Sequence, residues 1–404
     1  MALFSRSKKI DTDPQKISRL LSRAVEEIFV RESLERKLRS GKELRVKLGI
    51  DPTSPNMHIG RAIVLWKLRE FQDLGHKVVF IVGDFTARVG DPSDKLAKRP
   101  MLTAKQIKEN LKTYREQVGK IIDLSKAEFH VNSKWLSKLT FLEIADLAEC
   151  FSVQQMSHRR NFAERMERGE EISLQEFLYP LMQGYDSVAV KADVELGGID
   201  QLFNLKAGRV IQKHYGLPEQ DILVGPMLLG TDGRKMSSSW GNVININDYP
   251  KEMYGKVMSL RDELVIEYFK LCTRLSDEEI FVIGGQLSSG GNPRDAKMRL
   301  AFEIVKLYHG EEKAKEAEEN FISVFQKGAA PAEAEEVHAQ KGAALSEILV
   351  GKGIVHSKSE WQRIVRGGGA EIVSGGKITD PRFSVNENIL LRVGKKRFVK
   401  IILD

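Results

Sequence analysis

The chain has 404 residues, of which 42% are hydrophobic and 29% are charged, and its formal net charge is +7. This length exceeds what one hydrophobic core usually supports, so we expect two or three domains with the composition of a soluble enzyme. Cys150 and Cys272 are the only cysteines, which excludes a disulfide framework and a cysteine-based zinc site. Neither a membrane-spanning apolar run nor a signal peptide is recognisable, so we expect a cytoplasmic protein.

The first half of the chain contains a predicted βαβ unit. We predict a buried strand from Leu44 to Ile50, a helix from His58 to Leu74 and a strand from Val78 to Val82. Strand, helix and strand of these lengths indicate a parallel sheet with a right-handed crossover. Such sheets bind ligands at the carboxyl ends of their strands. The loops after the two strands are therefore where we expect the chemistry.

The remaining elements are mostly helical until the last 60 or so residues. Residues 103–176 and 248–326 are predicted to be mostly helical, and residues 328–344 are predicted to be a mobile linker. In the tail, a capping box of Ser357 and Glu360 opens a predicted helix, and residues 389–393 and 397–403 are predicted to form a hairpin. The predicted domains are a parallel-sheet domain with a helical insertion (1–245), a helical domain (246–327), a linker (328–342) and a small α+β domain (343–404).

The charge distribution singles out the tail. Residues 343–404 contain 11 Lys and Arg against 6 Asp and Glu, a net charge of +5, whereas residues 311–340 contain 3 against 8, a net charge of −5. A small basic module behind an acidic spacer indicates a tethered tail that binds a polyanion.

Two motifs could act on a phosphate group. His58, Gly60 and Arg61 open the predicted helix, where free N–H groups, a glycine and two hydrogen-bond donors suit a nucleotide. Lys235 and Met236 lie on a Gly- and Ser-rich loop that could fold over a triphosphate. The alternatives are a plain helix cap with a solvated arginine and an ordinary polar turn. Both motifs occur in order beside a parallel sheet, which favours the phosphate interpretation.

Together with five further short sequence segments, these two motifs resemble those of the bacterial tyrosyl-tRNA synthetases, which are class I synthetases with a Rossmann-type core. Residues 56–61 stand where this family has H-I-G-H, and residues 235–239 stand where it has K-M-S-K-S. The further runs are K-L-G-I-D-P-T from Lys47, G-D-F-T from Gly83, G-D-P-S from Gly90, Y-P-L-M-Q-G-Y-D from Tyr179 and G-G-I-D-Q from Gly197. The Lys47 run is similar to one subgroup of the family. The resemblance covers nearly the whole chain and implies activation of tyrosine with ATP, followed by transfer to tRNA(Tyr).

The resemblance also implies a role for each matching residue. Tyrosine would be bound by Asp91, Tyr179, Gln183, Asp186 and Gln201, with Asp186 accepting from the phenol. ATP would be bound by Gly49, Asp51, Thr53, His58, Gly60, Gly198, Asp200, Lys235, Met236 and Ser238. The phosphates would be stabilised during catalysis by His58, Arg61, Lys235, Lys95 and Arg99. Mg²⁺ would accompany ATP without a protein-held metal site.

The C-terminal module resembles a small RNA-binding fold that bacterial enzymes of this family carry. RNA contacts are implied for Lys358, Arg363, Arg366, Lys395, Lys396, Arg397 and Lys400. The acceptor stem could follow a run of basic residues, namely Arg159, Arg160, Arg165 and Arg168, although such a run is as often a solvated helix face. The family resemblance further implies a homodimer.

Four positions depart from the family pattern. Arg61 replaces the second His of H-I-G-H, Ser238 replaces the second Lys of K-M-S-K-S, and Asp94 and Ile199 replace a Gly and a Thr or Ser. An active enzyme with a re-tuned phosphate site is the interpretation that we favour. The alternatives are a catalytically weakened paralogue that binds RNA or tyrosine for regulation, and a tryptophanyl enzyme.

Overall fold

Two units make up the computed structural model, which describes residues 10–93, 102–237, 240–326, 335–373, 376–394 and 397–403. The first unit is Met1–His309 and the second unit is Gly310–Asp404. Within the described residues, no helix is both long enough and apolar enough to cross a membrane.

A six-stranded sheet forms the centre of the first unit. Its strands are β1 (Glu27–Phe29), β2 (Arg45–Ile50), β3 (Lys77–Val82), β4 (Glu128–Val131), β5 (Val194–Gly198) and β6 (Asp221–Gly225). The strand order is β1-β6-β5-β2-β3-β4, with β1 antiparallel to β6 and the other neighbours parallel. The chain proceeds outward from β2 to β4 and then returns to β5 on the other side of β2. The crevice between β2 and β5 is therefore the topological switch point, where α/β sheets bind ligands.

Helices surround this sheet and continue beyond it. They are α1 (Pro14–Leu20), α2 (Arg31–Arg39), α3 (Ile59–Asp73), α4 (Thr86–Val89), α5 (Ala104–Leu111), α6 (Tyr114–Gly119), α7 (Ser133–Leu136), α8 (Phe141–Glu149), α9 (Val153–Ser157), α10 (Arg160–Glu167), α11 (Leu174–Val190), α12 (Leu202–His214), α13 (Pro250–Met258), α14 (Val265–Cys272), α15 (Asp277–Ser288) and α16 (Pro293–His309). Because helices cover both faces, β3 is an almost continuous apolar run whose last five residues are buried. The α/β prediction is confirmed, and the predicted β2-α3-β3 unit is present.

One strand lies where the sequence analysis predicted mostly helix. β4 falls within residues 103–176 and pairs with β3 through Phe80↔Phe129 and Val82↔Val131. The helical prediction was wrong for these four residues. A short edge strand whose residues are all half-buried has no clear apolar period, so only its pairing reveals it.

A five-stranded sheet and three helices form the second unit. The elements are α17 (Glu311–Gln326), β7 (Glu335–Ala339), α18 (Leu345–Gly351), α19 (Lys358–Arg366), β8 (Ala370–Ile372), β9 (Gly376–Lys377), β10 (Ile389–Val393) and β11 (Arg397–Leu403). The predicted hairpin is present as β10 and β11, and the strand order is β7-β11-β10-β8-β9. Fully buried Trp361 lies in its core and donates to the carbonyl of Pro381. α17 groups with this unit, whereas the sequence analysis assigned it to the helical domain 246–327.

The predicted linker over 328–342 was wrong for its second half. Residues 335–339 form β7, which pairs in parallel with β11. Glu335 lies 3.1 Å from Arg397, and Glu336 lies 2.6 Å from Lys400, both measured between side-chain nitrogen and oxygen. Two of the eight acidic residues that suggested a spacer therefore form cross-strand ion pairs, a long-range feature that local composition cannot reveal.

Candidate active site

A cavity of about 460 Å³ opens at the carboxyl ends of β2 and β5. It is lined by loops that follow these strands, by the first turn of α3, by α11 and by the loop around Lys235. The cavity brings together the described residues that were predicted to bind tyrosine or ATP or to act in catalysis, which are Gly49, Asp51, Thr53, His58, Gly60, Arg61, Asp91, Tyr179, Gln183, Asp186, Gly198, Asp200, Gln201, Lys235 and Met236. Lys95, Arg99 and Ser238 lie outside the described residues, as does Asp94.

His58 caps α3 and still faces the cavity. Its Nδ1 accepts a hydrogen bond of 3.3 Å from the backbone N–H of Arg61. Burial, helped by the charges of Arg61 and Lys235, lowers the pKa of His58 to about 3, so the imidazole is neutral. A neutral imidazole that accepts at Nδ1 carries its hydrogen on Nε2. The cap therefore sets the tautomer that can donate to an incoming oxyanion.

Arg61 and Lys235 provide positive charge at the end of the cavity where His58 lies. The Arg61 guanidinium donates to Thr53 Oγ1 at 2.9 Å and to Tyr114 Oη at 3.4 Å, which holds it against the cavity wall. Lys235 Nζ lies 3.5 Å from Asp200 Oδ2 on the opposite loop. Together with neutral His58, these groups make one end of the cavity rich in hydrogen-bond donors.

The absence of a side chain at Gly60 lets the Lys235 loop approach α3. A Cβ atom at Gly60 would lie 3.1 Å from His58 Nδ1 and 3.3 Å from Met236 Sδ. The loop itself is held by Asn242, whose Oδ1 accepts from the Ser237 N–H and whose Nδ2 donates to the Lys235 carbonyl. These contacts place the lysine loop directly over the helix N-terminus.

The other end of the cavity is rich in carboxylates, of which Asp186 is buried and Asp51 and Asp91 are half-buried. Asp186 is 4% exposed, and it accepts from Trp135 Nε1 at 2.7 Å and from Asn132 Nδ2 at 3.2 Å. Burial raises the pKa of Asp186 to about 6, against the lowering effect of the Lys47 charge. Burial likewise raises the pKa of Asp51 to about 7, although Thr86 donates to it. This end favours cations and hydroxyl donors.

Tyr179 and Gln201 complete the walls beside these carboxylates. The Tyr179 hydroxyl donates to Asp51 at 2.9 Å, and burial raises the pKa of Tyr179 well above its usual value, so it remains a donor. Gln201 Nε2 donates to Asp91 Oδ2 at 2.5 Å. Asp91 also accepts from the backbone N–H of Ser93 at 2.9 Å. Asp91, the one carboxylate of the predicted ammonium site, is therefore oriented by two donors.

A buried ion pair behind the cavity was not predicted from the sequence. Lys47 and Glu195 are fully buried and lie 2.8 Å apart, measured from Nζ to Oε1. Gln183 Nε2 donates to the same Glu195 oxygen at 3.2 Å, which leaves Gln183 Oε1 as the acceptor of that side chain. Lys47 also donates to the Gln183 carbonyl and to Ser187. A lysine and a glutamate inside adjacent strands β2 and β5 were the available signal, because such charges are buried only when paired.

Two arginines proposed for a tRNA path are buried, so that prediction was wrong for them. Arg159 and Arg165 are 6% and 1% exposed. Arg165 pairs with Glu176 at 2.6 Å, and Arg159 donates to Asn204 and Ser93. Arg168 is exposed, whereas the side chain of Arg160 lies outside the described residues. Packing of the helices, which a local basic run does not indicate, turned these charges inward.

The five described residues of the tail that were predicted to contact RNA are all exposed, and three of them pair with acidic residues. Lys358 pairs with Glu347 at 2.8 Å, and the Arg397 and Lys400 pairs with β7 are given above. Arg363 and Arg366 are exposed on α19, and Lys395 and Lys396 lie outside the described residues.

Known proteins resemble this chain over most of its length. The family described as tRNA synthetases class I (W and Y) matches residues 39–326. A tyrosine–tRNA ligase of Thermotoga maritima is 47% identical over 392 residues, covering 96% of this chain and 98% of its own. One of Moorella thermoacetica is 46% identical over 402 residues, covering 97% of each chain. A C-terminally truncated mitochondrial tyrosyl-tRNA synthetase of Aspergillus nidulans is similar in structure, with a TM-score of 0.65 and 26% identity over 80% of this chain and 95% of that one.

Proposed function

Because this chain belongs to the class I tRNA synthetases of the W and Y family, we propose that it acts as a tyrosine–tRNA ligase. It activates tyrosine with ATP and transfers the tyrosyl group to tRNA(Tyr). One observation carries the choice of tyrosine: the buried carboxylate of Asp186, oriented by Trp135 and Asn132, lies at the end of the cavity away from the donors. A phenolic hydroxyl adds a third donor to that carboxylate, whereas phenylalanine would remove its water and supply no donor in return.

The two ends of the cavity fit the two substrates. We assign the tyrosine ammonium group to Asp91, Tyr179 and Gln183, near Gln201. ATP lies towards α3, along the remaining predicted residues that line the cavity, which are Gly49, Thr53, Gly60, Gly198, Asp200 and Met236. Asp51, which accepts from Tyr179, would lie where the two substrates meet. Lys95, Arg99 and Ser238 are still predicted to contact ATP and its departing pyrophosphate.

The activation step needs no covalent enzyme intermediate. A carboxylate oxygen of tyrosine bonds to the α-phosphorus of ATP while the bond from that phosphorus to the bridging oxygen breaks and pyrophosphate leaves. His58 Nε2, Arg61 and Lys235 donate to the phosphate oxygens as charge builds up, so catalysis is positioning and electrostatic stabilisation. A terminal ribose hydroxyl of the tRNA then attacks the tyrosyl carbonyl and releases AMP.

We expect Mg²⁺ to accompany ATP on its phosphate oxygens. Among the described residues, no group of three His, Cys, Asp or Glu side chains could form a metal site. Mg²⁺ at nucleotides usually binds the substrate phosphates and keeps several of its waters.

The tail supplies the RNA grip in this proposal. Arg363 and Arg366 are exposed cations of α19, and Lys358, Arg397 and Lys400 can exchange their carboxylate partners for phosphates. Lys395 and Lys396 belong to the same predicted set. Contacts of this kind bind the RNA backbone and weaken as salt rises.

A homodimer in the cytoplasm is the proposed state of the enzyme. Four large apolar side chains in the first turns of α8, α9 and α11 are 78–88% exposed, namely Phe141, Leu142, Val153 and Leu174. A second copy would cover such a surface. Light scattering on the wild-type protein should give a dimer mass, and Phe141→Asp with Leu142→Asp should shift the mass towards the monomer.

Both described cysteines are free, which suits a reducing cytoplasm.

ATP–pyrophosphate exchange tests the proposed reaction directly. The assay is run with tyrosine, tryptophan and phenylalanine, followed by charging of tRNA(Tyr). We expect exchange with tyrosine far above that with the other two amino acids, and charging that depends on tyrosine. Exchange with tryptophan would identify the tryptophanyl alternative, and tRNA binding without any exchange would identify the weakened paralogue.

A further inference from the structure

A buried arginine next to the cavity has no place in the reaction described so far. Arg159 precedes α10 and is only 6% exposed. Its guanidinium carbon lies 4.5 Å from the ring centre of Phe203 and 5.0 Å from that of Phe162, so two aromatic rings hold the charge. Nη1 has no hydrogen-bond acceptor among the described residues. The polar contacts of this group are concentrated at Nη2.

Nη2 is directed at a small hydrogen-bond network that ends on Asp91. It donates to Asn204 Oδ1 and to Ser93 Oγ, each at 3.1 Å. Asn204 is fully buried, and the two hydrogens of its Nδ2 are shared among Gln201 Oε1 at 3.1 Å, Ser93 Oγ at 3.0 Å and Asp91 Oδ1 at 3.3 Å. Gln201 Nε2 in turn donates to Asp91 Oδ2 at 2.5 Å. Two amides thus connect the arginine to the carboxylate.

The arginine at one end of this network and the carboxylate at the other require the same direction for the amide hydrogen bonds between them. A guanidinium has donors and no acceptor, so it must face the oxygen of the Asn204 amide. The Asn204 NH₂ group is then turned towards Gln201 and Asp91, and the Gln201 oxygen is turned towards Asn204. The Gln201 NH₂ group therefore faces Asp91. With three donors fixed on Asp91, about one acceptor position of the roughly four on a carboxylate is left for a ligand.

We propose that Arg159 is a positioning residue for ammonium recognition: it fixes the polarity of the Asn204–Gln201 relay and thereby the acceptor direction of Asp91. This inference rests on the proposed function, in which Asp91 binds the ammonium group of tyrosine. An arginine in this position determines how well the enzyme distinguishes an amino acid from its deaminated analogue. It does not touch the substrate.

Two substitutions of Arg159 distinguish an effect on the hydrogen-bond direction of the relay from a simple loss of charge or side-chain volume. Arg159→Lys keeps a group that only donates, whereas Arg159→Gln offers both a donor and an acceptor and lets Asn204 turn over. Binding is measured by calorimetry for tyrosine and for 3-(4-hydroxyphenyl)propionate, which has the same phenol and carboxylate but no ammonium group. The ratio of the two dissociation constants is the readout.

We expect the wild-type protein to prefer tyrosine. Arg159→Lys should keep the ratio within about threefold, whereas Arg159→Gln should lower it by about tenfold or more, since one misdirected hydrogen bond to a charged group is worth at least that much. Affinity for the deaminated analogue should change little in either variant. In an Asp91→Asn background, Arg159→Gln should have no further effect on the ratio.

Arg165→Gln is the matched control, because Arg165 is equally buried but pairs with Glu176 outside the network. It should lower the melting temperature and leave the ratio unchanged. Equal losses of both ligands in Arg159→Gln, or an unchanged ratio, would overturn the positioning role alone. If the wild-type protein showed no preference for tyrosine over the analogue, the assignment of Asp91 in the proposed function would fail, and this inference with it.

Discussion

At the scale of single residues, the cavity is organised by groups that each do two things. His58 ends the α3 backbone with one ring nitrogen and keeps the other as a donor for the ligand. Glu195 neutralises Lys47 and also turns the Gln183 amide so that its oxygen remains the acceptor. Each of these side chains is held in one orientation by a hydrogen bond or ion pair to a neighbouring residue. The site is therefore preorganised before any substrate binds.

Lys235→Ala should separate catalysis from binding. In the proposed reaction the lysine donates to a phosphate that gains charge in the transition state, so we expect the rate of tyrosyl-adenylate formation to fall by about a hundredfold or more. Tyrosine affinity should change by less than about threefold, because the tyrosine end of the cavity is untouched. Stopped-flow measurement of both quantities tests this. Arg234→Ala, which removes the neighbouring exposed cation of the same loop, is the control, and equal losses of rate and affinity in Lys235→Ala would contradict the transition-state role.

Asp186 should make the protein less stable as the pH rises. Its folded-state pKa of about 6 lies above the ordinary 3.8 of aspartate. Between these values the unfolded chain has released a proton that the folded chain retains, so the free energy of unfolding falls with rising pH by on the order of 2–3 kcal/mol. Asp186→Asn has no proton to release there. Urea denaturation between pH 4 and 7.5 should show the variant gaining stability relative to wild type as the pH rises, and a pH-independent difference would disprove the raised pKa.

At the scale of elements, the contact between α11 and α12 controls the position of two residues that are predicted to bind the substrate tyrosine. Both helices pack closely because α11 has Gly184 at the contact, where a Cβ atom would lie 2.5 Å from Ile211 Cδ1 and 3.2 Å from the Ala207 backbone. Tyr179 and Gln183 are carried by the same helix, α11. The spacing of two helices therefore determines where the predicted ammonium ligands stand.

Gly184→Ala should disturb that contact. The added methyl group meets a buried side chain and a backbone that cannot move away, so we expect a loss of about 1–3 kcal/mol and a raised KM for tyrosine. Gly285→Ala in α15 is the control, because nothing lies within 4 Å of its Cβ position. That variant should gain about 0.5–1 kcal/mol, since alanine is the better helix former. Thermal melts and exchange kinetics measure both effects, and equal behaviour of the two variants would refute the close-contact argument.

At the scale of the whole molecule, the cavity and the predicted RNA contacts belong to different units. The residues that line the cavity all belong to the first unit, and the exposed cations of α19 belong to the second. We therefore expect amino-acid activation to require only the first unit and tRNA charging to depend on the second as well.

Arg363→Gln combined with Arg366→Gln should lower tRNA affinity and leave tyrosine-dependent exchange unchanged. Each lost phosphate contact should reduce the slope of log K against log salt by about 0.7–0.9. Lys358→Gln is the control with a smaller expected effect, because Lys358 already pairs with Glu347. Filter binding at several salt concentrations measures the slope. An unchanged slope in the double variant would show that α19 does not contact the RNA backbone.

The sequence by itself determined the βαβ unit, the closing hairpin of the tail and the set of residues that line one cavity. The β2-α3-β3 segment was predictable because its apolar runs and helical period are local signals. The motif residues were predictable because their order along the chain matches one family.

Only the tertiary structure decided which charges are buried and which strands pair. β4 and β7 became strands through pairing with β3 and β11, and Arg159 and Lys47 turned inward towards partners far away in the chain. Local composition cannot contain this information, because the energy of a strand edge or a buried charge depends on whichever distant group the fold places beside it.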